Sequence, residues 1–144
     1  MSLVIGLDVG TKTIGVARMD PRSGIAAPWF TLAREGVRRD VTRLKQAFGG
    51  LDAPVSRVVV GWPLELDGSE GRICRLSRQV GDALGAATRL PVVYHDEQWS
   101  SVEAERRLTA AGVGHDRRRE VIDQAAAMVI LEDWLAHERQ ELSP

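Results

Sequence analysis

Acidic residues occur at three places in this chain where a solvated surface charge is not expected. Asp8 ends an apolar segment, Asp96 and Glu97 follow another at residues 92–94, and Asp123 lies beside the apolar stripe of a helical pattern. Buried together, carboxylates repel one another unless a cation neutralises them. Oxygen ligands at this density suit Mg²⁺ or Mn²⁺, and two such ions about 3.5–4 Å apart would activate water and stabilise the leaving oxygen of a phosphodiester. The acids therefore predict a metal site for phosphodiester hydrolysis.

Each acid also has an ordinary explanation when it is taken alone. Asp8 could begin a turn through the sequence Asp-Val-Gly. Asp96 or Glu97 could favour the positive N-terminus of a following helix, and Asp123 could be a helix-flank charge paired with an arginine. If the folded chain brought these acids together, a shared metal site would be favoured over separate structural roles. The strands and helices that carry the acids therefore decide between the two explanations.

Nine elements are predicted to position the acids, in the order β-β-β-α-β-α-β-α-α. Continuous apolar runs, alternation and turn signals indicate strands, whereas apolar residues at helical spacing indicate helices. The predicted strands are 3–8, 13–19, 25–32 (broken early by Pro28), 58–60 and 91–94. The predicted helices are 37–48, about 73–87, one from Ser100 that Gly112 and Gly114 break, and one from about Arg119 to about His137.

This order predicts an α/β fold with a mixed five-stranded sheet, a β-meander followed by parallel strands, and helices on both faces. The carboxyl ends of parallel strands share one edge, which is the usual ligand site of open α/β sheets. Asp8 and Glu97 would meet at that edge, and the last helix can deliver Asp123 to it.

Composition limits the classes of protein to which the chain can belong. Its 144 residues, 44% of them hydrophobic, suit one compact domain over 1–144. No apolar run approaches the roughly 20 residues that span a bilayer, and no signal peptide is evident. The single cysteine, Cys74, is consistent with a reducing cytoplasm. The net charge is −1, so nucleic-acid binding needs a local concentration of positive charge. Among the lysines and arginines, all except Lys12 and Lys45 are arginines, whose planar guanidinium groups suit phosphates.

Four segments resemble, in order, the motifs of the YqgF family, relatives of the RuvC Holliday-junction resolvase within the ribonuclease H-like superfamily. They are residues 6–17 (GLDVGTKTIGVA), 61–64 with 67–71 (GWPL and DGSEG), 96–97 with 100–105 (DE and SSVEAE), and 122–126 with 130–131 (IDQAA and IL). The resemblance implies a ribonuclease H-like fold and a nuclease that matures the 5′ end of pre-16S ribosomal RNA. Cleavage of DNA junctions or strand ends is the alternative that it leaves open.

The resemblance also implies which acids are catalytic. The acidic triad of the family corresponds to Asp8, Glu97 and Asp123, which would bind Mg²⁺ or Mn²⁺, with two ions expected. Asp96 is a possible further ligand and is given a secondary or structural role. The implied partners are pre-16S rRNA, or branched or single-stranded DNA, and the precursor of the small ribosomal subunit, in a cytoplasmic protein that is a monomer or a homodimer and has no membrane partner.

The chain departs from the family pattern at three positions near the predicted site. Gln98 and Trp99 stand where members commonly have arginine and leucine, and Trp62 replaces a smaller apolar residue. Trp62 and Trp99 could stack on bases, a contact worth about 1–3 kcal/mol per base, or they could pack in the core. The departures concern the approach of the substrate, because the three acids of the triad are retained.

Phosphate contacts are predicted from polar and basic side chains around the acids. Thr11 and Lys12 follow Asp8 in a turn and could contact a phosphate or merely shape the hairpin. Ser69 precedes a helix, where it could bring a phosphate to the free N–H groups or simply cap the helix. Further arginines flank a glycine-containing loop, either as a clamp on nucleic acid or as a solvated charge run: Arg106, Arg117, Arg118 and Arg119.

Two other functions fit parts of the sequence. The turn Asp-Val-Gly-Thr at residues 8–11, followed by a hairpin, looks like the first phosphate motif of the actin, Hsp70 and sugar-kinase group. Those proteins bind nucleotide between two such domains, and 144 residues supply one. A non-catalytic RNA-binding assembly factor on the small ribosomal subunit would need no metal triad, so retention of all three acids favours the enzyme.

Overall fold

Five strands and three helices make up the part of the chain that the computed structural model describes, residues 1–63, 68–96 and 115–142. For residues 115–121, 141 and 142 it describes the backbone alone. The elements in chain order are β1 (Leu3–Val9), β2 (Thr13–Asp20), β3 (Ile25–Ala33), α1 (Val37–Gly49), β4 (Val55–Trp62), α2 (Arg72–Thr88), β5 (Val92–Asp96) and α3 (His115–Leu142). The predicted helix from Ser100 lies outside the described residues.

The strands form one mixed sheet in the order β3-β2-β1-β4-β5. β1, β2 and β3 are antiparallel neighbours, whereas β4 runs parallel to β1 and β5 runs parallel to β4. The register sets Leu7 level with Val60, and Val60 level with Tyr94. The predicted sheet, a meander followed by parallel strands, is confirmed.

Helices cover both faces of this sheet, as predicted. α1 and α2 pack on one face, against Ile5, Leu7, Ile14, Val16, Val58 and Val60. α3 covers the other face, where its Ala127, Ile130, Leu131 and Trp134 meet Val4, Ala17, Met19 and Val59. Because side chains alternate between the faces of a strand, the even-numbered residues of β1, Asp8 among them, belong to the α3 face.

Two glycines let α3 approach the sheet closely. A β-carbon at Gly6 would lie 2.8 Å from the carbonyl oxygen of Ala127, and a β-carbon at Gly15 would overlap the backbone of Asp123. Real β-carbons essentially never come this near to backbone atoms. The absence of side chains on β1 and β2 at these points therefore sets the depth at which α3, and Asp123 with it, rests on the sheet.

Three further expectations are tested by the described elements. β3 continues through Pro28 to Ala33 instead of breaking early, because an edge strand has one side on which the missing N–H of proline is not needed. α3 begins at His115, before the predicted start, since its first turns are rich in arginine, which favours a helix, without showing apolar periodicity. Within the described ranges, no helix is both long and apolar enough to cross a membrane.

Candidate active site

Asp8 and Asp123, two of the three predicted ligands, come together at the carboxyl end of β1. Asp8 is level with Gly15 of β2, and the backbone of Asp123 lies directly against Gly15. The two acids are close enough for the charge of Asp123 to act on Asp8. The fold thus joins a residue of the first strand to a residue of the last helix.

Two hydrogen bonds fix the segment of α3 that carries Asp123. Thr13 Oγ1 donates a hydrogen bond to Asp123 Oδ2, and Gln124 Nε2 donates one to Thr31 Oγ1 at 2.9 Å. Both threonines belong to strands beneath α3, so the helix is pinned on either side of the acid. Thr13 was not among the predicted site residues, although strand alternation, which puts it on the α3 face, was an available signal.

The carboxyl of Asp8 holds its proton more tightly than an ordinary aspartate. Burial among protein atoms, and secondly the charge of Asp123, raises the pKa of Asp8 from 3.8 to about 7. Within the described residues, no arginine, lysine or histidine forms an ion pair with either acid. Part of the Asp8 surface stays open to solvent. Two adjacent carboxylates without a described ion-pair partner, one of them with a raised pKa and partly open to solvent, fit a divalent cation.

A buried ion pair holds the turn that follows Asp8. Arg34 Nε lies 3.0 Å from Asp40 Oδ2, and the two side chains are 9% and 0% exposed. Arg34 also donates through Nη1 to the carbonyl of Gly10 at 3.1 Å, and through its backbone N–H to the carbonyl of Lys12 at 2.9 Å. α1 therefore positions the turn through one arginine. This pair was not predicted from the sequence, although an acid, Asp40, within the apolar stripe of α1 was a signal for it.

Several predicted site residues cannot be compared with the geometry of the acids. Glu97, Trp99 and Arg106 lie outside the described residues, as does Gln98. The predicted clamp residues belong to the first turns of α3, of which the backbone alone is described: Arg117, Arg118 and Arg119. The ligand role of Glu97, the base stacking of Trp99 and the phosphate contacts of the arginines therefore stay predictions.

Asp96 lies on the opposite face of the sheet from Asp8. It ends β5 level with Trp62, and both alternate in phase with Tyr94, which donates a hydrogen bond to the α2 carbonyl of Arg78 at 3.2 Å. The Trp62 ring packs 5.2 Å from the Tyr94 ring and 4.9 Å from the Arg78 guanidinium. This placement favours the secondary role given to Asp96. Trp62 packs against its neighbours, and its stacking on a base stays a prediction.

The remaining predicted phosphate contacts are exposed. Thr11 and Lys12 lie at the tip of the turn between β1 and β2, so their contact with a phosphate stays a prediction. Ser69 is exposed too, but its interpretation as a helix cap is wrong. α2 begins at Arg72 with Gly71 at the N-cap position, and no side chain caps it. Gly71, in an extended backbone conformation, holds the N-cap position two residues after the serine.

Replacing Gly15 by alanine is expected to destabilise the protein by about 3 kcal/mol, at the upper end of overpacking effects. The added β-carbon would meet the backbone of Asp123 rather than a flexible side chain, so α3 must move. Thermal unfolding measures the change as a fall in Tm of roughly 10 °C. Gly49→Ala is the matched control, since no atom lies within 4 Å of its added β-carbon. Equal Tm values for the two variants would contradict the close approach.

The family of the chain follows from its match to a family model. The model described as RuvX: Holliday junction resolvase matches residues 2–137. The chain belongs to the RuvX family. This membership confirms the YqgF-like resemblance, since the matched range contains all four motif segments, and it favours the nuclease over the ATP-binding alternative.

Curated relatives of this RuvX chain match it over most of their own length. One from Ruegeria sp. (strain TM1040) is 40% identical over 94% of this chain and 85% of the relative. One from Myxococcus xanthus (strain DK1622) is 44% identical over 91% and 85%, and one from Lachnospira eligens is 38% identical over 92% and 95%. All three carry the name "Putative pre-16S rRNA nuclease".

Solved structures confirm the ribonuclease H-like fold. RuvC of T. thermophilus, solved in complex with a Holliday junction substrate, superposes with a TM-score of 0.58 over 96% of both chains at 14% identity. The fowlpox virus Holliday junction resolvase superposes with a TM-score of 0.60 over 94% of this chain and 99% of the resolvase, at 9% identity. At these sequence identities, the two superpositions support the fold of the RuvX chain and say nothing about its activity.

Proposed function

We propose that this RuvX-family chain is a divalent-metal-dependent nuclease that processes the 5′ end of pre-16S rRNA during ribosome biogenesis. The observation that carries the proposal is the pair Asp8 and Asp123, two adjacent carboxylates without a described basic partner. The relatives named for pre-16S rRNA support the choice of substrate. The proposal places the protein in the cytoplasm, with the precursor of the small ribosomal subunit as its partner.

In this mechanism the acids hold Mg²⁺ or Mn²⁺, and two ions are proposed. Asp8 approaches from β1 and Asp123 from α3, with Glu97 as the third ligand. When bound, the metal supplies an activated water and Lewis acidity at the phosphodiester. Thr13 donates to one carboxylate oxygen of Asp123, which orients the other oxygen for ligation. Arg34 holds the turn beside Asp8 through the Gly10 carbonyl.

Substrate contacts in the proposed enzyme come from the surroundings of the acids. The exposed turn with Thr11 and Lys12 lies next to Asp8 and offers donors to a phosphate. Ser69 lies before α2. The first backbone N–H groups of α2 have no side-chain cap and can donate hydrogen bonds to an anion. The clamp on the nucleic-acid backbone is assigned to four arginines: Arg106, Arg117, Arg118 and Arg119.

The test is cleavage of labelled precursor rRNA and of a labelled four-way DNA junction by the purified chain with Mg²⁺ or Mn²⁺. We expect the RNA to be cut near the mature 5′ end, the DNA junction to be cut more slowly, and EDTA to abolish both reactions. Asp123→Asn controls for contaminating nucleases. Cleavage that persists equally in that variant or in EDTA would reject the mechanism, and binding of RNA without cleavage would favour the non-catalytic assembly factor.

A second candidate function is resolution of DNA junctions by the same acids. The matching family model is described by that activity, and the two-carboxylate site does not itself distinguish ribose from deoxyribose. Faster cleavage of the DNA junction than of precursor RNA, under the same metal, would favour this function over rRNA processing.

A further inference from the structure

A second group of possible metal ligands lies on the α3 face, at the end of β5. It consists of His95 from β5 and of Asp133 and His137 from α3, and one ligand atom of each lies within 4.8 Å of the others. Asp133 and His137 are four residues apart, so one helical turn brings them to the same side of α3. His95 faces them because it lies one residue from Tyr94, which faces α2.

The contacts within this group are direct. His95 Nε2 lies 2.5 Å from Asp133 Oδ2, and His137 Nδ1 lies 3.7 Å from the same oxygen. His137 Nδ1 is also 2.9 Å from the backbone oxygen of Asp133, a contact that orients the ring on the side of α3 that carries Asp133. The two imidazole rings have their centroids 5.0 Å apart. Both histidines thus contact the same aspartate, one through its carboxylate and the other through its backbone oxygen as well.

Exposure makes the group accessible to a dissolved ion. The side chains of Asp133 and His137 are 47% and 60% exposed, whereas that of His95 is 14% exposed. His95 therefore has a largely buried side chain on a strand, whereas the exposed side chains of Asp133 and His137 have room to rotate toward an ion. Zn²⁺ ligand bonds of about 2.0–2.1 Å place ligands in a tetrahedral site about 3.4 Å apart, so small side-chain rotations from the present spacing suffice.

The chemistry of these ligands differs from that of the acids at Asp8. Imidazole nitrogen suits Zn²⁺, Ni²⁺ and Cu²⁺, whereas a site made of carboxylates suits Mg²⁺ and Mn²⁺. Asp8 and His95 are on the same face, separated by Gly61 of β4. Two strand spacings amount to about 9.6 Å between their backbones. The two groups therefore lie near each other and select different metals.

We propose that His95, Asp133 and His137 form a site for Zn²⁺, with a water as the fourth ligand, that clamps the end of β5 to α3. The site does not depend on the proposed nuclease activity. The bound ion would join two elements that are far apart in the chain, and so it would stabilise the folded state by an amount that grows with the logarithm of its free concentration above Kd.

The test is calorimetric titration of the metal-free full-length chain with Zn²⁺, in the presence of excess Mg²⁺. We expect one Zn²⁺ per chain and a rise in Tm with added Zn²⁺. His137→Ala and Asp133→Asn should each weaken binding by at least about 100-fold, because loss of even an outer partner of a ligand costs about 10–100-fold. Both side chains are well exposed, so both variants should fold.

The control is His115→Ala, which removes the remaining histidine of the chain and should leave the affinity for Zn²⁺ unchanged. Asp123→Asn should also leave it unchanged, since that acid belongs to the other group. Absence of Zn²⁺ binding would overturn the proposal. So would wild-type affinity in both His137→Ala and Asp133→Asn, or loss of the Zn²⁺ in Asp123→Asn, which would place the ion among the nuclease acids.

Discussion

Asp8→Asn is expected to lower the rate of nucleic-acid cleavage by on the order of 1,000-fold while making the metal-free protein more stable. Residues that merely support a metal ligand already cost about 10–100-fold when changed, so a ligand itself should cost more. Asparagine keeps the size of the side chain and removes its charge. Cleavage of labelled substrate with Mg²⁺ and thermal unfolding in EDTA measure the two effects.

The gain in stability depends on pH in a defined direction. The pKa of Asp8 is about 7 in the folded chain and near the ordinary 3.8 when unfolded, so the folded state holds a proton that the unfolded state releases. The protonated Asp8 carboxyl contributes to the free energy of unfolding. This contribution is fully present below about pH 4 and is lost as the pH rises through about 7. The Asp8→Asn protein has no carboxyl at this position to ionise, so its stability does not fall in this way. Its Tm in EDTA at about pH 8 should exceed that of the wild type by at least about 3 °C.

The control for Asp8→Asn is Asp52→Asn, a change at an exposed acid between α1 and β4. It should alter neither cleavage nor the dependence of Tm on pH. An Asp8→Asn protein that cleaves as fast as the wild type would remove Asp8 from the site. A Tm advantage that is the same at about pH 4 and pH 8 would show that the gain has a cause other than ionisation of Asp8.

Asp40→Ala is expected to destabilise the protein by about 3–5 kcal/mol, the cost of leaving one partner of a buried ion pair without the other. The Asp40 carboxylate is fully buried and accepts from Arg34 Nε at 3.0 Å and from the Glu35 backbone N–H at 2.9 Å. Removal of the carboxylate leaves the Arg34 guanidinium without its ion-pair partner, in a side chain that is only 9% exposed. Thermal unfolding should show a fall in Tm of roughly 10–15 °C.

Glu35→Ala is the matched control for Asp40→Ala. Glu35 also joins this segment to α1, through Arg43 at 3.6 Å, but the two side chains are 52% and 40% exposed. An exposed pair of this kind contributes about 0–1 kcal/mol. The double variant Arg34→Ala/Asp40→Ala should lose less stability than the sum of the single variants. Additive losses would show that the two side chains do not act as a pair.

The elements that carry the acids were predictable because their signals are local. The apolar run of β1 reports burial on both faces, and α1 was predicted at 37–48 and found at Val37–Gly49. Strand order put Asp8 at the carboxyl edge of the sheet, the last helix was expected to bring Asp123 to that edge, and the two acids lie together there. Family resemblance added the assignment of Glu97, which no local signal distinguishes from Asp96.

What the sequence did not predict depends on contacts between distant elements. The Arg34–Asp40 pair required knowledge that α1 packs beside the turn after Asp8, which periodicity does not report. Strand β5 was predicted to end at residue 94 and ends at Asp96, so the faces of His95 and Asp96 could not be assigned. Because the predicted strand ended two residues early, the sequence did not show that Asp96 faces α2 or that His95 faces α3.

The position of Asp123 on α3 has a consequence for the order in which the chain is made. Asp8 is translated with the first strand, whereas Asp123 is translated only after all five strands of the described sheet. A nascent chain that ends before His115 has neither Asp123 nor the helix that covers Val4, Ala17 and Met19. Such a chain carries one acid of the pair beside an uncovered sheet. The proposed nuclease therefore cannot act on RNA until the helix that carries Asp123 has been translated.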